Sequence, residues 1–361
     1  MADESSLVEL RVQIDELDEE LHTLINRRAR LAQRVAEVKQ GKIAPAQFYR
    51  PEREAEVLRK VQARNQGPLN NEEIARLFRE IMSACLALEE ILQVAYLGPE
   101  GTFTQTAALK HFGHSVNARS LSTISEVFRD VESGAAHYGV VPVENSTEGM
   151  VNHTLDMFML SPLKICGEVE LRIHHHLLSL TPKLNEVECV YSHQQSLAQC
   201  RGWLDQHLNG ATRISVSSNA EAARLAGITP KAAAIAGESA AEIYSLPFLA
   251  RRIEDDPNNT TRFIIIGEQD AQPSGQDKTS LLVSTGNKIG TLHRLLAPLV
   301  KHEISMTRIE SRPSRRGMWD YVFFIDIAGH RLDERLTRAL ADLAQEALSL
   351  KVLGSYPCAV L

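Results

Sequence analysis

LVELRVQIDELDEELHTLINRRARLAQRVAEVKQ, residues 7–40, decides how the first quarter of this chain folds. Leu7, Leu10, Ile14, Leu17, Leu21 and Leu24 recur at alternating spacings of three and four, which marks one apolar face of a long helix. The stripe resumes at Leu31, Val35 and Val38. Between Leu24 and Leu31, where the pattern reserves an apolar side chain, stands Arg28. An unpaired guanidinium at a buried seam is costly. An anion is therefore expected beside it, either a carboxylate of the third helix or a bound ligand.

Arg28 and Lys39 lie 11 positions apart, which is about 20° around a helix and about 16 Å along it. Their long stems can converge on one small anion. Arg11 is about 26 Å from Arg28 along a straight helix. It reaches the same ligand only from an antiparallel copy, so a site that uses Arg11 predicts a dimer. Taken singly, Arg11 reads as a solvated charge and Lys39 as a cation favoured near a helix C-terminus.

Working outward, this helix is expected from about Ser6 to Gln40, with Gly41 ending it. A second starts at Pro51, a good first-turn residue, and stops before Gly67-Pro68. Asn70 followed by Glu73 resembles a capping box and opens a third. Its stripe is Ile74, Leu77/Phe78, Ile81, Cys85, Leu88 and Leu92. At Val94 the texture changes. From there to about Gly267, strand-like runs such as 139–143, 188–191 and 262–266 alternate with helical patterns, which argues for an α/β unit with largely parallel sheets. Residues 268–278 are polar, carry Pro and Gly, and read as a linker. The remainder reads strand, helix, strand, strand, helix, strand, a βαββαβ ferredoxin-like order. The expected division is 1–94, 95–267, linker 268–278 and 279–361.

Bulk properties narrow the classes. The 361 residues carry a formal net charge of -7, which argues against a general nucleic-acid binder. No run of about 18 apolar residues appears, so no membrane span is expected. The start of the chain, acidic and polar, does not read as a signal peptide. Five scattered cysteines without a Cys-x-x-Cys pair suggest free thiols in a reducing cytoplasm.

Residues 5–94 resemble the all-helical chorismate mutase domain, an intertwined dimer, through Leu10-Arg11, Arg27-Arg28, Val38-Lys39, Arg53-Glu54 and Leu77-Phe78 leading to Cys85 and Glu89. That family rearranges chorismate to prephenate without covalent enzyme chemistry, so fixed cations and donors do the work as charge separates. The resemblance implies that Arg28 and a partner's Arg11 bind carboxylates, Lys39 bridges a carboxylate and the ether oxygen, and Glu54 holds the ring hydroxyl. Arg50, Arg53 and Cys85 are further contacts. Glu89 stands where the family commonly carries Gln, and it can donate a hydrogen bond only when protonated.

Three further stretches are individually weak and jointly specific: GPEGTF at 98–103, ENSTEG at 144–149, and Thr261-Arg262-Phe263. With Tyr191-Ser192-His193 and Gln199, they make residues 95–267 resemble prephenate dehydratase. That family places two α/β lobes around a cleft, similar to periplasmic binding proteins, and converts prephenate to phenylpyruvate. The resemblance makes Thr261 the leading catalytic residue. Thr102, Phe103, Asn145, Ser146, Ser192, Gln199 and Phe263 would line the cleft, and Glu144 would serve as an acid if its pKa is raised. Arg262 reads equally as a substrate anchor or as half of a structural ion pair. His174-His175-His176 invites a metal, but successive strand side chains alternate faces, so core and surface roles are expected instead. Neither reaction needs a cofactor.

The tail resembles an ACT domain, a small-molecule sensing module. Glu310-Ser311-Arg312-Pro313 matches a motif of phenylalanine-responsive dehydratases, and Gly290-Thr291-Leu292 opens the helix where an amino acid's carboxylate would sit. The alternative for Glu310 and Arg312 is a structural pair. The implied whole is a bifunctional homo-oligomeric enzyme acting on chorismate and prephenate, with phenylalanine as effector. Two other readings fit parts of the chain: a non-catalytic solute sensor, and a dehydratase whose helices only dimerise.

Overall fold

The structure, a computed structural model, describes residues 2–40, 49–286, 289–313 and 321–360. The expected stop at Gly41 lies outside them. Three helices come first: α1 (Ala2–Gln40), α2 (Pro51–Arg64) and α3 (Asn71–Ala87). Pro51 occupies the first turn of α2. The Asn70 side chain caps α3, accepting from the Glu73 N–H at 2.8 Å. Helix α3 stops at Ala87, sooner than its apolar stripe implies. The cause is tertiary: Leu92 is drawn into the core of the sheet that follows. Glu89 consequently sits in a turn, its N–H on the Leu86 carbonyl at 2.8 Å.

This segment buries little by itself. Its core is Leu58, Ala75 and Met82. Leu10, Ile14, Leu17, Leu21, Leu24 and Leu31 of α1 are each more than half exposed. An apolar stripe of that length left in water needs a cover.

The next unit has two lobes. The first holds β1 (Gln93–Leu97), α4 (Phe103–Phe112), β2 (Asn117–Leu121), α5 (Ile124–Glu132), β3 (Tyr138–Asn145), β4 (Gly149–Met150), α6 (Asn152–Leu160) and β5 (Lys164–Arg172). The second holds β6 (His176–Leu178), β7 (Cys189–His193), α7 (Gln194–Gln199), α8 (Arg201–His207), β8 (Thr212–Val216), α9 (Asn219–Ala226), β9 (Ala232–Ala236), α10 (Glu238–Ile243) and β10 (Phe248–Ala250). Strand β11 (Thr260–Gly267) then returns to the first. The sheet orders are β2-β1-β3-β11-β5, with β4 on β3, and β10-β6-β9-β7-β8.

These sheets are mixed, which corrects the expectation of largely parallel ones. Strand β11 runs antiparallel to both β3 and β5. The chain leaves the first lobe along β5 and comes back along β11, so the two adjoining strands must oppose. They meet at the lobe junction, where Thr260 pairs with Arg172 and the Ile173 N–H reaches the Asn259 carbonyl at 2.9 Å. In the second lobe the five alanine and isoleucine residues of β9 are all buried. Their small side chains let Ala222 and Ala223 of α9 pack against the sheet.

The last unit comprises β12 (Asp277–Thr285), α11 (Thr291–Lys301), β13 (Met306–Pro313), β14 (Tyr321–Ala328), α12 (Glu334–Glu346) and β15 (Ser349–Pro357). Its sheet runs β13-β14-β12-β15, antiparallel throughout. Strand β12 begins at Asp277, inside the stretch that reads as linker. Period-two alternation sends Ile325 and Ile327 of β14 to the helices and Val322, Phe324 and Asp326 to the first lobe. At the seam a Cβ on Gly354 would stand 2.1 Å from the Ile165 carbonyl oxygen. Only glycine allows β15 to approach β5 that closely.

One buried cation ties this seam. Arg262 of β11 donates from Nε to Glu168 at 2.8 Å, from Nη1 to Asp326 at 2.6 Å and from Nη2 to the Tyr356 hydroxyl at 2.8 Å. Lys278 also holds Glu168, at 2.7 Å. Of the two readings of Arg262, the structure has the ion pair. Burial acts to raise the Asp326 pKa, but Arg262, Ser280 and Arg308 outweigh it and hold the carboxyl below its usual range.

Removing one partner of a buried pair typically costs about 3–5 kcal/mol. Arg262→Met should lower stability by roughly that amount at neutral pH, read as a lower urea midpoint of the full chain. Asp326's pKa is depressed, so its share is present above the usual carboxylate range and is lost as pH falls through the depressed value. The gap between variant and parent should therefore narrow in strong acid. An unchanged midpoint at pH 7 contradicts this account of the seam.

Candidate active sites

The first site is a cavity of about 230 Å³ among the helices, lined by Arg28, Lys39, Arg50, Arg53, Glu54, Cys85 and Glu89 together with Tyr49 and Met82. Seven of the eight residues expected for the helical site thus meet in one place. Arg11 does not; it stands exposed on the far part of α1. Arg28 reaches the Ile81 carbonyl at 3.5 Å. Lys39 Nζ lies 3.9 Å from Glu89 Oε2. Burial raises the Glu89 pKa, and the nearby charges of Lys39 and Arg28 only partly oppose it. The site is therefore cationic on the α1 side, with a carboxyl opposite that keeps its proton to higher pH than an exposed one.

Glu54 is held from behind. Its Oε2 accepts from Arg79 Nη1 at 2.8 Å, and the same nitrogen contacts the His111 carbonyl of α4. Burial raises the Glu54 pKa, with Arg79 and Arg28 opposing. Sequence reasoning missed Arg79. The signal was there: Arg79 interrupts the buried run Ala75, Met82 at spacings of four and three, as Arg28 interrupts the stripe of α1. Tyr49 was missed too. It lines the cavity and bonds His111 Nε2 at 2.8 Å.

The second site is a cleft of about 500 Å³ between the two lobes. Thr102, Phe103, Asn145, Gln199, Thr261 and Phe263 line it, as expected. Four expected residues do not. Arg262 faces the seam, because it is out of phase with Thr261 on the same strand. Glu144, its partner on β3, turns the same way and pairs with Arg308 at 3.3 Å. Ser146 is used by the backbone, its Oγ accepting from the Thr260 N–H at 2.9 Å. Ser192 lies buried behind the wall and holds Asn219 Oδ1 at 3.0 Å; it is Asn219 that reaches the cleft.

Polar order in the cleft centres on Asn145. Its Oδ1 accepts from Thr147 and Glu148 N–H groups at 3.0 and 3.1 Å. This turns its Nδ2 toward Thr261 Oγ1 and Asn259 Oδ1, both at 2.8 Å. Thr261 thus accepts from Asn145 and keeps its own proton to donate. Gln199 Nε2 donates to Thr147 Oγ1 and Glu148, each at 3.2 Å. Glu148, Gln195, His175, His193 and Asn219 also line the cleft; Glu148 and His193 fall within the quoted motifs, but none of the five was expected as a lining residue. They reach it from loops and helix starts, where no periodicity announces a facing side. Gly101, at φ +84°, brings the turn before α4 within 3.2 Å of the Ala240 Cα, measured from a built Cβ.

Among the described residues no lysine or arginine lines this cleft. The donors left to meet an anion there are hydroxyls and backbone N–H groups, including those at the start of α4. Among the described residues no group of His, Cys, Asp and Glu is arranged to hold a metal, and no helix is long and apolar enough to cross a membrane.

The third region is the sheet of the last unit. Gly290 takes a left-handed conformation ahead of α11. Thr285 of β12 and Pro313 of β13 both pair with Tyr321 of β14, which puts the turn before α11 and the 310–313 motif at one end of the sheet. Arg312 reaches across to α6, bonding the Asn152 carbonyl at 2.9 Å, its Oδ1 at 2.7 Å and Asp156 at 2.8 Å. The structural partner of Arg312 is thus Asp156.

Comparison with known proteins gives three family matches in order: chorismate mutase type II over residues 10–90, prephenate dehydratase over 94–271 and the ACT domain over 279–345. A bifunctional chorismate mutase/prephenate dehydratase of Stutzerimonas stutzeri is 58% identical, covering 100% of both chains. A prephenate dehydratase structure from Arthrobacter aurescens in complex with L-Phe is 32% identical, with a TM-score of 0.68, covering 73% of this chain and 89% of that one. A structure described as a quorum-quenching acylase, GqqA, also has a TM-score of 0.68, at 28% identity, covering 74% of this chain and 98% of that one.

Proposed function

Because the chain belongs to the bifunctional chorismate mutase/prephenate dehydratase family, we propose a residue-level account of its two reactions and their regulation. The protein is an enzyme of phenylalanine biosynthesis: it rearranges chorismate to prephenate, converts prephenate to phenylpyruvate, and is feedback-regulated by phenylalanine through its ACT domain. The single observation that carries the two-site account is that seven of the eight expected helical-site residues and six of the ten expected cleft residues line two separate cavities, one cationic and one without a lysine or arginine among the described residues. Full-length 58% identity to a bifunctional enzyme outweighs the partial likeness to an acylase.

The helical unit is the mutase, an all-α domain completed by a second copy. The bare stripe of α1 supports this, as does Arg11, too far along the helix to serve its own cavity. In the dimer Arg28, with Arg11 of the partner subunit, binds the substrate carboxylates. Lys39 bridges a carboxylate and the ether oxygen. Protonated Glu89 donates to the same oxygen as the ether bond breaks, stabilising the charge that develops there. Glu54, held by Arg79, orients the ring hydroxyl, and Arg50, Arg53 and Cys85 complete the wall.

The two lobes, arranged like a periplasmic binding protein, form the dehydratase. Prephenate loses one carboxylate as carbon dioxide. The electron pair of that carbon–carbon bond enters the ring, and the ring hydroxyl departs as water with a proton from a donor. Thr261 is that hydrogen-bond donor, because Asn145 occupies its acceptor side. Among the described residues no lysine or arginine pairs with the departing carboxylate, so its conversion to neutral carbon dioxide gives up no ion pair. The N-terminus of α4 at Thr102 and Phe103 receives the one that stays, while Asn145 and Gln199, whose N–H groups are already committed, hold the cleft wall in place.

The ferredoxin-like ACT unit carries the effector site. Phenylalanine binds where Gly290, Thr291 and Leu292 meet Glu310, Ser311, Arg312 and Pro313, between paired ACT sheets. Its signal has a direct path, since Arg308 and Arg312 of β13 contact Glu144, Asn152 and Asp156 on the elements that frame the cleft.

One assay following chorismate consumption and then phenylpyruvate appearance tests the whole account. Thr261→Ala should abolish the second signal, by at least about a hundredfold, and leave the first intact; persistence of both removes the assignment. Mutase activity should fall as pH rises through the raised pKa of Glu89, and Glu89→Gln should flatten that fall. An identical profile in the variant contradicts the donor role. Isothermal calorimetry should record saturable phenylalanine binding that Arg312→Ala weakens, and absence of heat in the unaltered enzyme excludes this effector site.

A further inference from the structure

His175 sits in the short connection between β5 and β6, where the chain crosses from one lobe to the other. It is 1% exposed and lines the dehydratase cleft. Its ring is fixed on several sides. Phe103 meets it edge-on with centroids 5.6 Å apart. Its backbone N–H donates to Glu254 Oε2 at 2.9 Å, and its carbonyl accepts from the Ile253 N–H at 2.8 Å. Nε2 lies 2.8 Å from Gln199 Oε1.

The proton on this ring can be placed from its neighbours. Gln199 Nε2 faces the Glu148 carboxylate, which only accepts, so Gln199 must present its oxygen to His175. His175 Nε2 therefore carries the hydrogen. Burial lowers the His175 pKa, so the ring is neutral and Nδ1 bears a lone pair. That Nδ1 is buried and has no hydrogen-bond partner among the described residues. An acceptor buried without a partner in a native fold demands an explanation.

Gln199 Oε1 also accepts from Asn259 Nδ2 at 3.1 Å. Asn259 Oδ1 accepts from Asn145 Nδ2, and Asn145 in turn holds the Thr261 hydroxyl. The donors from His175 and Asn259 fill both lone pairs of Gln199 Oε1 and stop the amide from turning.

We propose that His175 is a positioning residue of the dehydratase: its Nε2–H locks Gln199, and the chain through Asn259 and Asn145 holds Thr261 in its reactive orientation. This rests on the reading of the cleft as the dehydratase site. Leucine at position 175 fills much of the space without a donor, whereas glutamine restores an N–H near Nε2 without the Nδ1 acceptor. His175→Leu should lower dehydratase kcat on the order of ten- to a hundredfold, with a smaller change in KM. His175→Gln should recover most of it. Mutase activity, measured on the same samples, should stay unchanged in both.

A leucine variant that keeps kcat within about twofold overturns the assignment, as does a glutamine variant no better than leucine. Should the leucine variant fail to fold, ¹⁵N-histidine spectra of the unaltered protein give an independent reading. They should show His175 as the neutral Nε2–H tautomer, and an Nδ1–H tautomer overturns the chain. An unaltered enzyme that makes no phenylpyruvate removes the dehydratase reading and this role together. An active unaltered enzyme with insensitive variants removes the role alone.

Discussion

The guanidinium of Arg262 is buried among Glu168, Asp326 and Tyr356, and it ties the sheet that builds one wall of the cleft to the sheet of the ACT unit. Its place on β11 matters as much as its partners. Side chains alternate along a strand, so a residue committed to the seam has neighbours committed to the cleft. Thr261 and Phe263 are those neighbours. The cross-strand register adds Glu144 beside Arg262 and Asn145 beside Thr261. One pair of strands thus turns Thr261 and Asn145 to the cleft and Arg262 and Glu144 to the ACT seam, separated by the thickness of a backbone.

That arrangement gives feedback a short physical route. Asp326 is shared between Arg262, at 2.6 Å, and Arg308, at 3.6 Å, and Arg308 also meets Glu144 at 3.3 Å. Both arginines lie directly behind or beside the Thr261–Asn145 pair. Buried ion pairs suit this role because their geometry is exacting and their cost when mispaired is high.

The two cavities handle charge in opposite ways, in keeping with their reactions. A rearrangement that separates charge gains from fixed cations, and Arg28 and Lys39 line the helical cavity. A reaction that expels a carboxylate as neutral carbon dioxide gains nothing from a cation holding that group, and the cleft lining described here has none. The helical cavity is joined to the first lobe by Arg79, which bridges Glu54 and the His111 carbonyl, and by Tyr49 on the His111 ring.

By itself the sequence determined what periodicity and local motifs can carry. The long α1 and its misplaced Arg28, the change of texture near Val94, the βαββαβ tail and the GPEGTF, ENSTEG and Thr-Arg-Phe stretches were all legible, because each is a short-range pattern. The tertiary structure decided which way side chains point where no pattern constrains them. It turned Arg262 and Glu144 away from the cleft, put Ser192 behind it, ended α3 before Glu89 by drawing Leu92 into the sheet core, and ran β11 against its neighbours. It also linked His175, Glu148 and Asn259 to Thr261 through Gln199 and Asn145. The physical reason is one of range: periodicity is set by the backbone's own repeat, whereas the partners of a buried polar group are chosen by whatever distant strand the fold lays beside it.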